Sequence, residues 1–128
     1  MDSRDSADYA WAEITEQILG GAYRVSDSLG SGFLEKVYEN ALAHELRKTG
    51  LKVMQQHGVS VHYDGIVVGE YFADLLVADQ VIVELKAVSA LDKVHEAQCL
   101  NDLMAAGLRV CLLPNFGTPK VEVRRIVL

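Results

Sequence analysis

Glu84-Leu85-Lys86 lies in the run VIVELKAV, residues 81–88, the most β-rich stretch of the 128-residue chain. Alternate residues of a strand share a face, so Glu84 and Lys86 point one way and Val83 and Leu85 the other. The apolar neighbours Val81, Ile82, Val83, Ala87 and Val88 read as a strand covered on both sides. Charged side chains in such a strand must be paired or must ligate something. Asp74 lies on the preceding strand. If Ala78-Asp79-Gln80 is a three-residue hairpin loop, Val77 faces Val81 and Asp74 falls opposite Glu84, with Cβ atoms ~4.5–5.5 Å apart. Carboxylates that close repel unless a proton or cation lies between them. A hard divalent ion, Mg²⁺ or Mn²⁺, would resolve the repulsion through oxygen ligands. A two-residue loop, Asp79-Gln80, would put Asp74 on the opposite face instead. Both registers fit the sequence. The plainer alternative makes Asp74 a turn cap and Glu84 and Lys86 an ordinary strand ion pair.

Glu35 is the third acid, three residues after Gly32 at the start of a helix. There it can favour the helix dipole or bond back to the cap. It also shares a helix side with Tyr38 and Leu42, which could lean it over a sheet. Gln98 falls on a helix side with Val94 and Ala105, where a polar boundary residue is the plain reading. His44, His57, His62 and His95 are scattered without zinc-binding spacing. No GxSxG, Walker-type or Rossmann glycine pattern is present, and Gly30-Ser31-Gly32 lacks the preceding strand of a phosphate loop.

Positioning these residues falls to eight elements. Ile14, Ile18, Ala22, Val25 and Leu29 mark one face of a helix over 11–29, weakened at Gly20-Gly21. A second helix covers 33–48 before Gly50. Residues 52–63 read as a strand interrupted near Gly58, Asp64-Gly65 as a turn, and 66–77 and 81–88 as two further strands. A helix over 91–106 stops at Gly107. Strands follow over 109–113, stopped by Pro114, and over 121–128. This order predicts one mixed sheet with helices packed on it.

The length fits one domain, 1–128, with 1–10 as a flexible N-terminus. No apolar run nears the ~20 residues of a membrane span, and the acidic start is unlike a signal peptide. Cys99 and Cys111 make no disulfide framework, which predicts reduced, buried thiols and a cytoplasmic protein. The net charge of −6 argues against tight non-specific DNA binding, although residues 103–128 hold Arg109, Lys120, Arg124 and Arg125 against Glu122 alone.

Taken together, the chain resembles the GxxExxY family, a branch of the PD-(D/E)XK nuclease superfamily. The name motif stands as Gly32-Phe33-Leu34-Glu35-Lys36-Val37-Tyr38 within GSGFLEKVYENALAHEL. Residues 69–88 resemble the family's Asp-then-ExK hairpin, 95–103 its Gln-bearing helix, and 115–127 its closing strand. The resemblance implies a restriction-endonuclease-like αβββαβ core, with an added N-terminal helix and an extra C-terminal strand. It assigns Glu35, Asp74, Glu84 and Lys86 to the active site with Gln98 beside it. It further implies a hydrolase that cuts phosphodiesters with Mg²⁺ or Mn²⁺. Asp74 and Glu84, with the Leu85 carbonyl, would hold the metal, and Glu35 would complete the shell directly or through water. Lys86 would position and help deprotonate the attacking water. Phe72 stands where many relatives carry a basic residue, Asp102 where related nucleases have Tyr, and Cys111 and Pro114 where Gly and Ile are more typical. The implied partner is nucleic acid, chiefly DNA, with a homodimer to widen the grip. The alternative is a catalytically inactive accessory or binding module on the same fold.

Overall fold

The computed structural model describes the backbone from Ser3 to Leu128 and the side chains from Trp11 onward. Eight elements follow in order: α1 (Ser3–Leu29), α2 (Glu35–Lys48), β1 (Val53–Tyr63), β2 (Ile66–Val77), β3 (Val81–Val83), α3 (Lys93–Ala106), β4 (Val110–Asn115) and β5 (Glu122–Val127). They form a mixed five-stranded sheet in the order β1-β2-β3-β4-β5. Only β3 and β4 run parallel, joined through α3, and the other neighbours are antiparallel. This is the expected αβββαβ core with a leading helix and a closing strand. The expectation of a flexible 1–10 falls largely outside the described residues: Met1 and Asp2 altogether, and the side chains through Ala10.

Alternation along the central strands builds two cores. Val81, Val83, Val110 and Leu112 face α1 and α2, where they meet Ile18, Ala22, Tyr38, Leu42 and Leu46. Ile82, Cys111 and Leu113 face α3, where they meet Cys99 and Leu103. Covering both faces explains why β3 and β4 read as unbroken apolar runs. Gly21 does not break α1. A Cβ there would stand 3.1 Å from Leu46 Cδ2 and 3.2 Å from Leu42 Cδ1, so the gap lets α1 lie close on α2. No described helix is long and apolar enough to cross a membrane.

The glycine and tyrosine of GxxExxY serve the fold. Tyr38 is fully buried, and its hydroxyl donates to the Gly30 carbonyl at 2.7 Å and accepts the Phe33 amide at 3.2 Å. Its ring stacks on Phe116 with centroids 4.6 Å apart. Tyr38 thereby pins the α1–α2 connection, where Gly32 adopts φ +116°, a conformation that favours glycine.

Four boundaries differ from the sequence reading. β1 is irregular at Gln56, with φ 52°, and between Val61 and His62, where its register on β2 shifts, whereas Gly58 pairs normally with Phe72. Residues 84–88 leave β2 but stay with β4. The Glu84 amide donates to Leu112 O, the Lys86 amide to Pro114 O and the Phe116 amide to Lys86 O, each at 2.8–2.9 Å. Pro114 lies inside β4, paired with Val123, because a proline costs only the one ladder bond its missing N–H would make. Finally, α3 starts at Lys93 behind a capping box of Asp92 and His95, so His95 is a cap.

Asn115 locks the far end of the 84–88 segment. Its Nδ2 donates to Val88 O at 2.9 Å, and its Oδ1 accepts the amides of Val88 and Gly117 at 3.0 Å. A Cβ on Gly117 would collide with the Val88 backbone. Gly117→Ala should therefore destabilise the protein by roughly 2–4 kcal/mol, since rigid backbone on both sides must shift. Urea denaturation monitored by far-UV circular dichroism measures this; a loss under about 0.5 kcal/mol, typical of an unconstrained surface site, would contradict the lock.

Candidate active site

The β2–β3 register decides whether the two acids meet. Val77 pairs with Val81 and Leu75 with Val83 across the three-residue loop Ala78-Asp79-Gln80. Ala78 and Asp79 both take positive φ, 53° and 57°. Continued by one step, the register sets Asp74 against Glu84. There the strands part, and a side chain replaces the missing backbone partner: Asp74 Oδ2 accepts the Leu85 amide at 2.8 Å. Asp74 Oδ1 accepts from Gln56 Nε2 at 3.2 Å. Asp74 is thus no turn cap, and both its oxygens are engaged inside the sheet.

Beyond the fork, a cavity of about 270 Å³ opens toward α3. Glu84, Lys86, Gln98 and Asp102 line it, with Tyr71, Phe72 and Asn101 at its sides. The structure therefore brings together Glu84, Lys86 and Gln98, with Asp74 at the fork behind them. It does not bring Glu35. That residue is exposed at the first turn of α2, lines no part of the cavity, and α2 has no side-chain cap. The α2 acid that does connect is Glu39, one turn on and 3% exposed. Its Oε1 accepts from Gln56 Nε2 at 2.7 Å, and the same amide reaches Asp74. Its Oε2 accepts from Gln55 and Lys36. Burial alone would raise the Glu39 carboxyl, but these bonds hold it below the ordinary carboxylate range.

The sequence reading missed one acid of the site and took another only as a departure from the family pattern. Asp102, one helical turn after Gln98 and so on its face, stood out as the residue replacing a Tyr of related nucleases. Glu39 followed Tyr38 directly and was hidden behind the motif's named glutamate.

The electrostatics are those of crowded acids. Burial, the Asp74 charge and a hydrogen bond with Asp102 push the Glu84 carboxyl up to about 10, so it holds a proton at neutral pH. Burial and the Asp74 charge also raise Asp102, while its bond with Glu84 and the charge of Lys86 pull it down. Glu84 Oε1 is buried without a hydrogen-bond partner. Among the described residues no three His, Cys, Asp or Glu side chains form a ready metal cage. A buried, partnerless carboxylate oxygen beside a second acid nonetheless suits a hard cation that keeps several waters, as Mg²⁺ does with one or two carboxylates. The two thiols lie beneath: Cys99 and Cys111 are fully buried and unbridged, and contact with Cys99, then burial, push the Cys111 thiol up.

A raised acid fixes the sign of a pH effect. Between pH 4.5 and about 10 the folded metal-free protein holds a proton on Glu84 that the unfolded chain releases. Stability from this group is full below the unfolded value and is lost as pH rises through the folded one. The melting temperature of metal-free protein should fall from about pH 6 to about pH 9, and Glu84→Gln should flatten the fall. Parallel curves for the two proteins in a chelating buffer would contradict a buried, protonated Glu84.

Residues 12–126 match the PD-(D/E)XK nuclease superfamily. No curated protein matches in sequence. Among solved structures, an alkaline exonuclease from Laribacter hongkongensis (LHK-Exo) is similar with a TM-score of 0.42 and 13% identity, over 88% of this chain and 81% of that one. Nucleases of the matched superfamily generally work with divalent metal ions. With nearly its whole length matched, the chain belongs to the PD-(D/E)XK nuclease superfamily.

Proposed function

We propose that the protein is a metal-dependent DNA nuclease of the GxxExxY branch, working at the cavity where β3 leaves β2. One observation carries this reading: Glu84 Oε1 is buried and partnerless in a cavity that it shares with Lys86 and Gln98, beside Asp74. Asp74 and Glu84, with the Leu85 carbonyl, would hold Mg²⁺ or Mn²⁺. Glu35 is exposed and lines no part of the cavity, so in this reading it would reach the ion only through water. The bound ion would supply positive charge to the reacting phosphate and acidify a water. Lys86, on a segment fixed to β4, would position the attacking water and favour its ionisation by charge, the proton passing to solvent. The Gln98 amide offers a neutral donor to a phosphate oxygen. Glu84 must give up its proton to ligate, so metal affinity rises with pH.

A homodimer belongs to this proposal, since a 14.1 kDa protomer offers nucleic acid little surface. So does a cytoplasmic location, which the two unbridged thiols support. The Glu84–Asp102 carboxyl pair favours a second reading, an inactive module whose acids satisfy each other by sharing a proton.

Cleavage of labelled DNA, together with melting curves with and without Mg²⁺, separates the two. Wild type should cut DNA and melt higher with Mg²⁺. Asp74→Asn should lose both effects and cost roughly 1 kcal/mol of stability, because Asn offers one acceptor oxygen where Asp74 uses two. Lys86→Ala should keep the Mg²⁺ shift and lose about 10²-fold or more in rate. If Mg²⁺ moves no melting curve and wild type cuts nothing, the inactive module is the correct reading.

A further inference from the structure

The cavity at Glu84 does not end at the catalytic groups. It shares Tyr71 and Asn101 with a second cavity of about 480 Å³ that also touches His62 and Met104. That one shares Ser60, His62 and Ala105 with a third, of about 440 Å³, which reaches His57 and Gly58. Together they trace one groove between α3 and the β1–β2 hairpin, starting at the acids. We propose that this groove is a track for a single strand of nucleic acid, whose bases stack on Tyr71 within the groove and on Phe72 where the track opens at Glu84 and Lys86. The proposal rests on the nuclease reading and adds the form of the substrate.

Three observations select a single strand. First, two adjacent aromatic side chains stand exposed at the mouth of the site, Tyr71 at 54% and Phe72 at 61%. Large aromatics usually avoid such exposure unless a partner covers them, and every base offers a π-face to them. The Phe72 ring lies by Gly58, its cross-strand partner, with Cε1 3.8 Å from where a Cβ would stand, and Phe72 lines the first cavity. Second, the charge is wrong for a duplex, which needs many cations placed along two phosphate chains. Arg24, Lys36, Lys48, Lys52 and Arg124 each lie on a carboxylate of this chain. Among the described residues, Lys86 and the imidazoles of His57 and His62 are the bases that line the groove, and its acids are Glu84, Asp102 and Asp79. A strand held by stacking, with Asn101 and Ser60 as donors and acceptors for base edges, needs few cations. Third, the β1–β2 register slips between Val61 and His62, both in the wall of the second cavity. A bulge re-aims the side chains around it, and here those side chains line the second cavity.

The test measures binding separately from cutting. A labelled oligonucleotide of about a dozen nucleotides, single-stranded or as a blunt duplex, is titrated in chelating buffer and followed by fluorescence anisotropy. Wild type should bind the single strand at least about tenfold tighter than the duplex. The double variant Tyr71→Ala/Phe72→Ala should lose about tenfold or more on the single strand with an unchanged melting temperature. Phe72→Trp should retain binding, and Val67→Ala, exposed on the hairpin outside the groove, should match wild type. A 2-aminopurine in the strand should be quenched by wild type and not by the double variant. Equal affinity for duplex and single strand, or full single-strand binding by the double variant, overturns the track. Cleavage with Mg²⁺ is scored apart. Duplex cutting that the double variant leaves intact sinks the track and spares the nuclease; aromatic-dependent binding with no cutting of any DNA sinks the nuclease and spares the track.

Discussion

The parting of β3 from β2 after Val83 governs the site. Up to that residue β3 is paired on both sides and buried on both faces. Beyond it the chain keeps only β4, and one hydrogen-bonding edge of residues 84–86 turns toward β2 with no strand to meet it. Asp74 makes the fork tolerable by giving its carboxylate to the Leu85 amide, a charge-assisted bond in place of a neutral ladder bond. The same fork opens the space into which Glu84 and Lys86 project. The strand separation and the clustering of acids are therefore one event. A fully zipped β2–β3 pair would have no cavity, and a fork without Asp74 would leave a buried amide unpaired.

The acids at the fork are held in a chain that crosses the sheet edge. Glu39 on α2 fixes Gln56, Gln56 holds Asp74, and Asp74 holds Leu85. Gln56 takes a left-handed backbone conformation that a non-glycine residue adopts at some cost. The kink turns its amide toward α2 beside that of Gln55, and both end on Glu39. Backbone strain in β1 is thereby tied to the orientation of a carboxylate in β2.

Much of this was legible in the residues. Unbroken apolar runs at 81–83 and 110–113 announced strands covered on both faces, and Gly107 marked the end of α3, where it takes φ 70°. The Asp74–Glu84 pairing was legible only as one of two registers, because the choice rests on left-handed conformations at Ala78 and Asp79 that neither residue type advertises. Pro114 looked like a stop because local propensity cannot show that one ladder bond is dispensable at that position. Glu35 drew attention through its motif, whereas burial selected Glu39. Burial is a tertiary property, and two acids one turn apart at a helix start do not reveal which one is covered.

The Asn115 clamp on Val88 gives the molecule two kinds of region. Lys86 is bonded to β4 through Pro114 and Phe116, and two residues later Asn115 and the tight Gly117 approach close the segment. The Glu84 and Lys86 amides can exchange with solvent only when their bonds to β4 open, which ties the lysine to a buried strand. The outer β1–β2 hairpin is the opposite case: Tyr63, Ile66, Val67 and Val68 are exposed and add little to either core. Such a segment opens at low cost, on its own, and its amides exchange early. One wall of the groove can therefore breathe while the carboxylates and the lysine keep their places, so widening the approach to the site demands no loosening of the site itself.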